Sequence, residues 1–417
     1  MRAWQHPQIP SVPGTSTAPW LHDTASDTLV EAKPTDVARL YVCGITPYDA
    51  THLGHANTYL AFDTLQRVWR DAGYRVHYAQ NVTDVDDPLL ERATATGINW
   101  RDLAESQVEL FRSDMAALRI IPPNDYVAVT DVIGEVAAAV GQLVAAGMAY
   151  PVKTDDALHS GGTDLYFDIA AAERQTAWRI GDESNLDRAR MLALSAQRGG
   201  DPDRPGKRDA LDPMVWRAAR AGEPAWDSEV GPGRPGWHIE CSVIALQELG
   251  TDFTVQGGGA DLIFPHHDMS AGHAAALSGH PLAGVYSHTG MVAYQGEKMS
   301  KSLGNLVLVS VLLQQGADAR AIRLALLARH YRADWTWTDG QLDIGTDRLA
   351  RWSTAFGAGA VPGTGTSAYV ITVVRTALVN DLDTPTALAL IDKAALTGVN
   401  DPALLAKAVD ALLGVKL

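Results

Sequence analysis

A chain of 417 residues with 46% hydrophobic and 20% charged residues is long enough for two or three domains and too apolar to be wholly disordered, fibrous or of low complexity. Lys plus Arg number 34 against 49 Asp plus Glu, a formal charge of −15, which argues against a protein whose main task is wrapping a polyanion while leaving room for local basic patches. Cys43 and Cys241 are the only cysteines, too few for a disulfide framework, and without a basic-then-apolar leader or an uncharged apolar run of about 18 residues the expected setting is the cytoplasm, with no membrane span.

Residues 1–35, with Pro7, Pro10, Pro13, Pro19 and Pro34 among Ser, Thr and Gly, carry neither helical nor strand period and predict an extended lead along the surface. Arg39 to Cys43 is a short apolar run stopped by Gly44, and Leu60, Ala61, Leu65 and Val68 then recur at helical spacing between Asn57 and Trp69. That pattern reads as strand, loop and helix. A second strand is expected at Arg75 to Thr83, and Asp87-Pro88 opens another helix. Together these segments begin a parallel nucleotide-binding sheet. From about residue 100 to 222 a helical and loop-like pattern, broken by Gly161-Gly162, Gly199-Gly200 and the Pro202 to Pro213 stretch, predicts an insertion; Asp252 to Gln256 then resumes the sheet. Amphipathic segments such as Ala319 to Arg329 and Ala368 to Val379 follow, parted by the glycine-rich Gly357 to Gly365. The expected organisation is an α/β catalytic domain over residues 36–310, holding the insertion, and a helical C-terminal domain over 311–417.

Chemistry concentrates at a few points. His52 and His55 flank Gly54 between the first strand and its helix, so they project together where a helix N-terminus faces a ligand. The alternative is a pair of surface histidines capping a helix. Lys298-Met299-Ser300-Lys301-Ser302, flanked by Gly296 and Gly304, places two ammonium groups three residues apart, suited to a pyrophosphate leaving an attacked α-phosphate. In this order the two motifs resemble the signature pair of class I aminoacyl-tRNA synthetases, which activate an amino acid as its adenylate. The resemblance implies a class I synthetase-like Rossmann (HUP) domain, with His52, His55, Lys298 and Lys301 acting on ATP and its magnesium.

Cys43, Cys241 and His266 are metal-capable, and two thiolates and an imidazole suit one zinc ion per chain with a coordination position left open. Zinc with two thiolates and a neutral imidazole is formally an uncharged site and accepts a thiolate far better than an alcohol, so cysteine would be selected over serine without an editing module. Tyr41 to Asp49, His52 to His55, Asn81 to Asp87, Gly236 to Cys241 and the Lys298 segment resemble cysteinyl-tRNA synthetase over roughly residues 24–335. That family has a glutamate ligand four positions after its histidine; Ser270 stands there in this chain, and Asp268 is two positions away. In this departure, in the proline-rich lead and in Arg198-Gly199-Gly200-Asp201-Pro202, where Gln197 precedes in place of Glu, the chain resembles the paralogous cysteine ligases of mycothiol biosynthesis.

That second resemblance implies ligation of L-cysteine to the amine of glucosaminyl-inositol through cysteinyl-AMP, releasing AMP and pyrophosphate; a monomer that does not use tRNA is a separate expectation. From Asp343 to Leu417 there are six Lys or Arg and seven Asp, no basic surplus for an anticodon stem. It also implies that Cys43, Gly44, Ile45, Thr46, Thr58, Asn81, Val82, Thr83, Trp237, Gly259, Ala260, Asp261 and Val292 surround the adenylate. Thr46 and Thr83 can bond the α-amine or carboxylate, Trp237 can wall off water, and Gly259 leaves room for a ribose unless Gly257 to Gly259 form a simple turn. Asp84, Asp86 and Asp87 suit a helix cap better than a magnesium site, and Trp335 and Trp337 suit packing better than sugar stacking. Two rivals remain: cysteinyl-tRNA synthetase itself, and a non-catalytic zinc- or cysteine-binding relative, against which the intact Lys298 motif speaks.

Overall fold

The computed structural model describes residues 1–48, 51–299 and 304–417, with the side chain of Lys298 left out. Lys301 lies outside the described residues. A five-stranded parallel sheet organises the chain. Strand β1 (Val37–Val42) ends in the fully buried Leu40, Tyr41 and Val42, the near-continuous apolar run of a strand covered on both faces. Helix α1 (Leu53–Asp71) follows, capped by His52, and leads into β2 (Arg75–Val82) and then β3 (Asp125–Ala128). Helix α2 (Trp237–Leu249), β4 (Val255–Gly259), helix α3 (Asp268–Ser278) and β5 (Tyr286–Thr289) complete the unit. The strand order is β5-β4-β1-β2-β3, all parallel. The order reverses between β1 and β4, and in such sheets ligands sit beyond the carboxyl ends of the strands at that crevice.

Strand β3 falls inside the span read as an insertion; four residues bounded by Asn124 and a tight turn are too few to show a period. Residues 149–235 also hold a separate antiparallel sheet of four strands, Ala149–Lys153, Thr163–Phe167, Met214–Ala218 and Gly233–Pro235; the first three lie within the span 100–222 that was expected to hold only helices and loops. These strands are three to five residues long and 46 residues separate the second from the third, so no hairpin signal joins them. The lead runs along the surface, with Trp4 donating to the Ile120 carbonyl at 2.7 Å. Its second half departs from expectation: Trp20–Asp23 pairs antiparallel with Thr28–Glu31, and four-residue strands offer too few inward positions to register as alternation.

Beyond the sheet, Val292–Tyr294 pairs with Glu297–Lys298 and with Trp335–Trp337, which buries Trp337 as a packing residue. Helices Ala319–Leu327, Asp339–Phe356, Ser367–Val379, Thr384–Thr397 and Pro402–Leu413 follow. They share one apolar cluster with α1, running from Trp4 through Leu65 to Leu413 and Val415. A charged hub ties α1 to these helices. Fully buried Asp63 accepts from Arg67 Nε at 2.8 Å and from Arg323, while Arg67 also donates to the Asp410 and Ala411 carbonyls and Arg323 to that of Leu413. Among the described residues no helix is long and apolar enough to cross a membrane.

Candidate active site

Cys43 is the residue after β1, and its N–H donates to the Gly257 carbonyl of β4 at 3.3 Å, which fixes its side chain in the crevice where the strand order reverses. Cys241 comes from the second turn of α2, and His266 from the turn Ile263–His267 that feeds α3. The ligand atoms of these three buried residues lie within 4.8 Å of one another. Four-coordinate zinc, with bonds of about 2.0–2.3 Å, holds its ligand atoms closer than that, so only a small adjustment is needed.

The donor chemistry fits as well. Burial keeps the His266 imidazole well below its usual range, hence neutral. Its Nδ1 lies 3.0 Å from Nδ1 of His238, and its Nε2 is buried with no hydrogen-bond partner among the described residues. A neutral ring held through one nitrogen with the other unsatisfied is the disposition of a metal ligand. The hydrogen bond to Cys43 and burial push the Cys241 thiol up, so binding a cation there would release protons. No carboxylate joins the group among the described residues. Ser270 Oγ donates to the His238 carbonyl at 3.2 Å, and Asp268 Oδ1 accepts from the Gly181 N–H at 3.0 Å, facing the inserted segment.

Residues absent from the sequence reading surround this trio. Cys43 Sγ lies 3.3 Å from His267 Nε2, His267 Nδ1 2.7 Å from His288 Nε2, and His288 Nδ1 2.7 Å from Thr24 Oγ1. Only the adjacency of His266 and His267 hinted at such a chain. Gly257 to Gly259 are not a turn; they lie within β4, and a β-carbon at Gly257 would meet the Phe62 ring at 2.4 Å while one at Gly258 would meet His267 at 2.9 Å. Arg198 also acquires a role: its Nη1 donates to the carbonyls of Asp261 at 2.6 Å and Phe264 at 2.5 Å, pinning the segment that delivers His266.

Most residues expected around the adenylate gather at the same edge. Gly44 N–H donates to Asn81 Oδ1 at 2.8 Å, Asn81 Nδ2 to Thr83 Oγ1 at 3.1 Å, and Thr83 Oγ1 to Glu240 Oε2 at 3.3 Å. Thr83 N–H reaches the Ile45 carbonyl at 3.0 Å, joining the ends of β1 and β2. Ile45 and Val82 are buried there, and Thr46 is half-buried one residue further on. The Trp237 ring lies 4.4 Å from that of His266. Thr58 Oγ1 is 2.7 Å from Thr289 Oγ1, and Val292 is buried just past β5. A β-carbon on Gly259 would come within 2.6 Å of Asp261 Oδ1, so Gly259, Ala260 and Asp261 make a close bend off β4.

His52 and His55 stack with ring centroids 3.9 Å apart at the head of α1, where His52 Nδ1 accepts from the Gly54 N–H. His52 is therefore a cap as well as a candidate ATP ligand. The backbone of Lys298 pairs with Ala293. The acidic trio separates: Asp86 caps the helix Asp87–Thr96, Asp84 Oδ1 accepts from the Thr130 N–H, and Asp87 pairs with Arg234. Burial lifts the Asp86 carboxyl to about 6; of the three, Asp86 alone is the helix cap, while Asp84 and Asp87 tie to Thr130 and Arg234.

Residues 29–346 match the family model of the tRNA synthetases class I (C) catalytic domain. An L-cysteine:1D-myo-inositol 2-amino-2-deoxy-alpha-D-glucopyranoside ligase of Clavibacter michiganensis subsp. michiganensis is 63% identical over 421 residues, covering 100% of this chain and 99% of that one. A protein of the same name from Kribbella flavida is 56% identical over 100% of both chains. Among solved structures, methionyl-tRNA synthetase of Mycobacterium tuberculosis bound by methionyl-adenylate superposes with a TM-score of 0.63 at 16% identity, over 91% of this chain and 92% of that one. This last likeness establishes the class I synthetase fold.

Proposed function

The chain belongs to the family of L-cysteine:1D-myo-inositol 2-amino-2-deoxy-alpha-D-glucopyranoside ligases, built on the class I (C) synthetase catalytic domain, and from that premise we propose an ATP-dependent ligation in two steps. A carboxylate oxygen of L-cysteine attacks the α-phosphorus of ATP; the bond to the β-phosphate breaks, giving cysteinyl-AMP and pyrophosphate. The amine of glucosaminyl-inositol then attacks the acyl carbon, AMP departs, and the nitrogen gives up a proton as the amide forms. The observation that carries this reading is the buried Cys43, Cys241 and His266 trio in the crevice beside the His52–His55 head of α1.

Cys43, Cys241 and His266 would hold a zinc ion, which when bound supplies a soft Lewis-acid seat favouring a thiolate over an alcohol. Trp237, against the His266 ring, excludes water beside that seat. The Gly44–Asn81–Thr83 bonds hold the ends of β1 and β2 rigid, so the amino and carboxyl groups of the substrate meet fixed partners rather than solvent. His52 and His55, at the positive end of α1, face the triphosphate and stabilise charge that grows as pyrophosphate leaves. Lys298 and Lys301 act on the same charge; magnesium arrives with ATP.

Supplying ATP and L-cysteine with either glucosaminyl-inositol or tRNA tests the acceptor. The amino sugar should yield amide and AMP in equal amounts; cysteinylation of tRNA with no amide would overturn the reading and make the chain a cysteinyl-tRNA synthetase.

A further inference from the structure

At the carboxyl end of α1, away from His52 and His55, the lead, α1 and the terminal helix Pro402–Leu413 line a cavity of about 1280 Å³. Its carboxylates are already balanced. Asp71 is held by Arg375 at 2.7 Å and Asp410 by Arg119 at 2.5 Å. Beneath the floor, Asp63 alone faces both Arg67 and Arg323, leaving one positive charge in surplus. Arg70 adds another, and Lys416 stands exposed at the rim.

Hydrogen bonds and ion pairs account for most of these cations but not for Arg70, whose one structural role is to complement the carboxyl end of α1. Arg67 and Arg119 end on the backbone carbonyls of Asp410, Ala411, Gln8 and Gly414. Arg70 presents a buried Nε with no hydrogen-bond partner among the described residues. Burial and the neighbouring Arg67 push its guanidinium below the ordinary range, against the pull of Asp63. A half-buried cation without a partner is costly unless a counter-charge arrives. In a chain of net charge −15, a cationic cavity does not follow from composition. His6 of the lead lines the same cavity, its Nδ1 held by the Pro7 carbonyl at 2.7 Å.

We propose that this cavity is a binding site for a small phosphate-bearing anion, with Arg70 as principal contact and Lys416 at its rim. The guanidinium fork suits two phosphate oxygens at once, which an ammonium would not match. The site is separate from the activation crevice and does not depend on the ligase reading. An occupant bridges the lead, α1 and the terminal helix, so binding stabilises the folded chain.

Inorganic pyrophosphate is the probe, titrated calorimetrically into the full chain, with hydrogen exchange locating the site. Residues 5–14 should gain protection, separately from any protection at residues 51–58. Arg70→Ala should weaken the event that protects residues 5–14 at least about tenfold, Arg70→Lys should recover part of it, and Lys416→Ala, at an exposed position, should weaken it by a smaller factor and carry the test if Arg70→Ala does not fold. Absence of protection at residues 5–14 at millimolar pyrophosphate would overturn the proposal, as would equal affinities for the parent and these variants.

Discussion

Gly44→Ala perturbs the crevice through the backbone alone. A β-carbon at this position would lie 1.6 Å from the carbonyl oxygen of Asn81 and 2.6 Å from its carbon, so the ends of β1 and β2 must part by more than an ångström. They part where Gly44 N–H meets Asn81 Oδ1 at 2.8 Å and Thr83 N–H meets the Ile45 carbonyl at 3.0 Å. Overpacking of this kind costs about 1–3 kcal/mol, tolerable within a folding stability of about 5–15 kcal/mol. A shift of about 1 Å among positioning groups costs far more in rate, on the order of 100-fold. The variant should therefore fold, melt a few degrees lower, and lose on the order of 100-fold in kcat/KM for cysteine-dependent ATP–pyrophosphate exchange. Gly134→Ala, in a helix with nothing near its added carbon, is the matched control and should keep full exchange. A folded Gly44→Ala with exchange within about threefold of the parent would refute the claim that this junction positions the substrate.

Asp63→Asn leaves Arg67 and Arg323 buried without their shared carboxylate and should cost about 3–5 kcal/mol, read as a drop in denaturant midpoint; a loss below about 1 kcal/mol would show the hub to be dispensable. Burial alone would raise the Asp63 pKa, but Arg323 and Arg67 bring it below its ordinary value. Its contribution to stability is therefore complete above the unfolded-state value of about 3.9 and fades as pH falls through the folded value, so the parent should lose stability in acid faster than Asp63→Asn. Arg198→Ala removes two bonds to the carbonyls of Asp261 and Phe264 and should weaken zinc binding and raise the KM for cysteine about tenfold with little change in melting temperature; unchanged zinc affinity would show that the segment holds itself. His266→Ala should lose zinc and pyrophosphate exchange together, and full exchange in a zinc-free variant would dismiss the trio as the cysteine seat.

What the sequence disclosed and what it hid follow from scale. The β1–α1 unit was legible because an apolar run, a glycine and a helical period adjoin within about thirty residues, and Cys43 and Cys241 stood out as the only two thiols of the chain, whereas His266 stood out from thirteen histidines only through the family resemblance. The histidine chain from Cys43 to Thr24 was not, since it joins residues as distant as Thr24 and His288 through tertiary packing that no local pattern records. The antiparallel sheet of residues 149–235 was hidden for the same reason: its strands pair across long loops, and Asp164 at its centre is a buried anion answered by Arg204 and Arg220, so it lacks the apolar alternation that identifies a strand. The Arg198 segment was recognisable as a motif, but its purpose, reaching 63 and 66 residues ahead to two carbonyls, becomes visible only in three dimensions.

The central claim is that the sulfur of the substrate completes a metal seat built from Cys43, Cys241 and His266. X-ray absorption at the zinc edge, on protein with and without L-cysteine, measures this directly. A shell of two sulfurs and an imidazole nitrogen that gains a third sulfur when cysteine is added is the predicted result; a sulfur count that stays the same would contradict it.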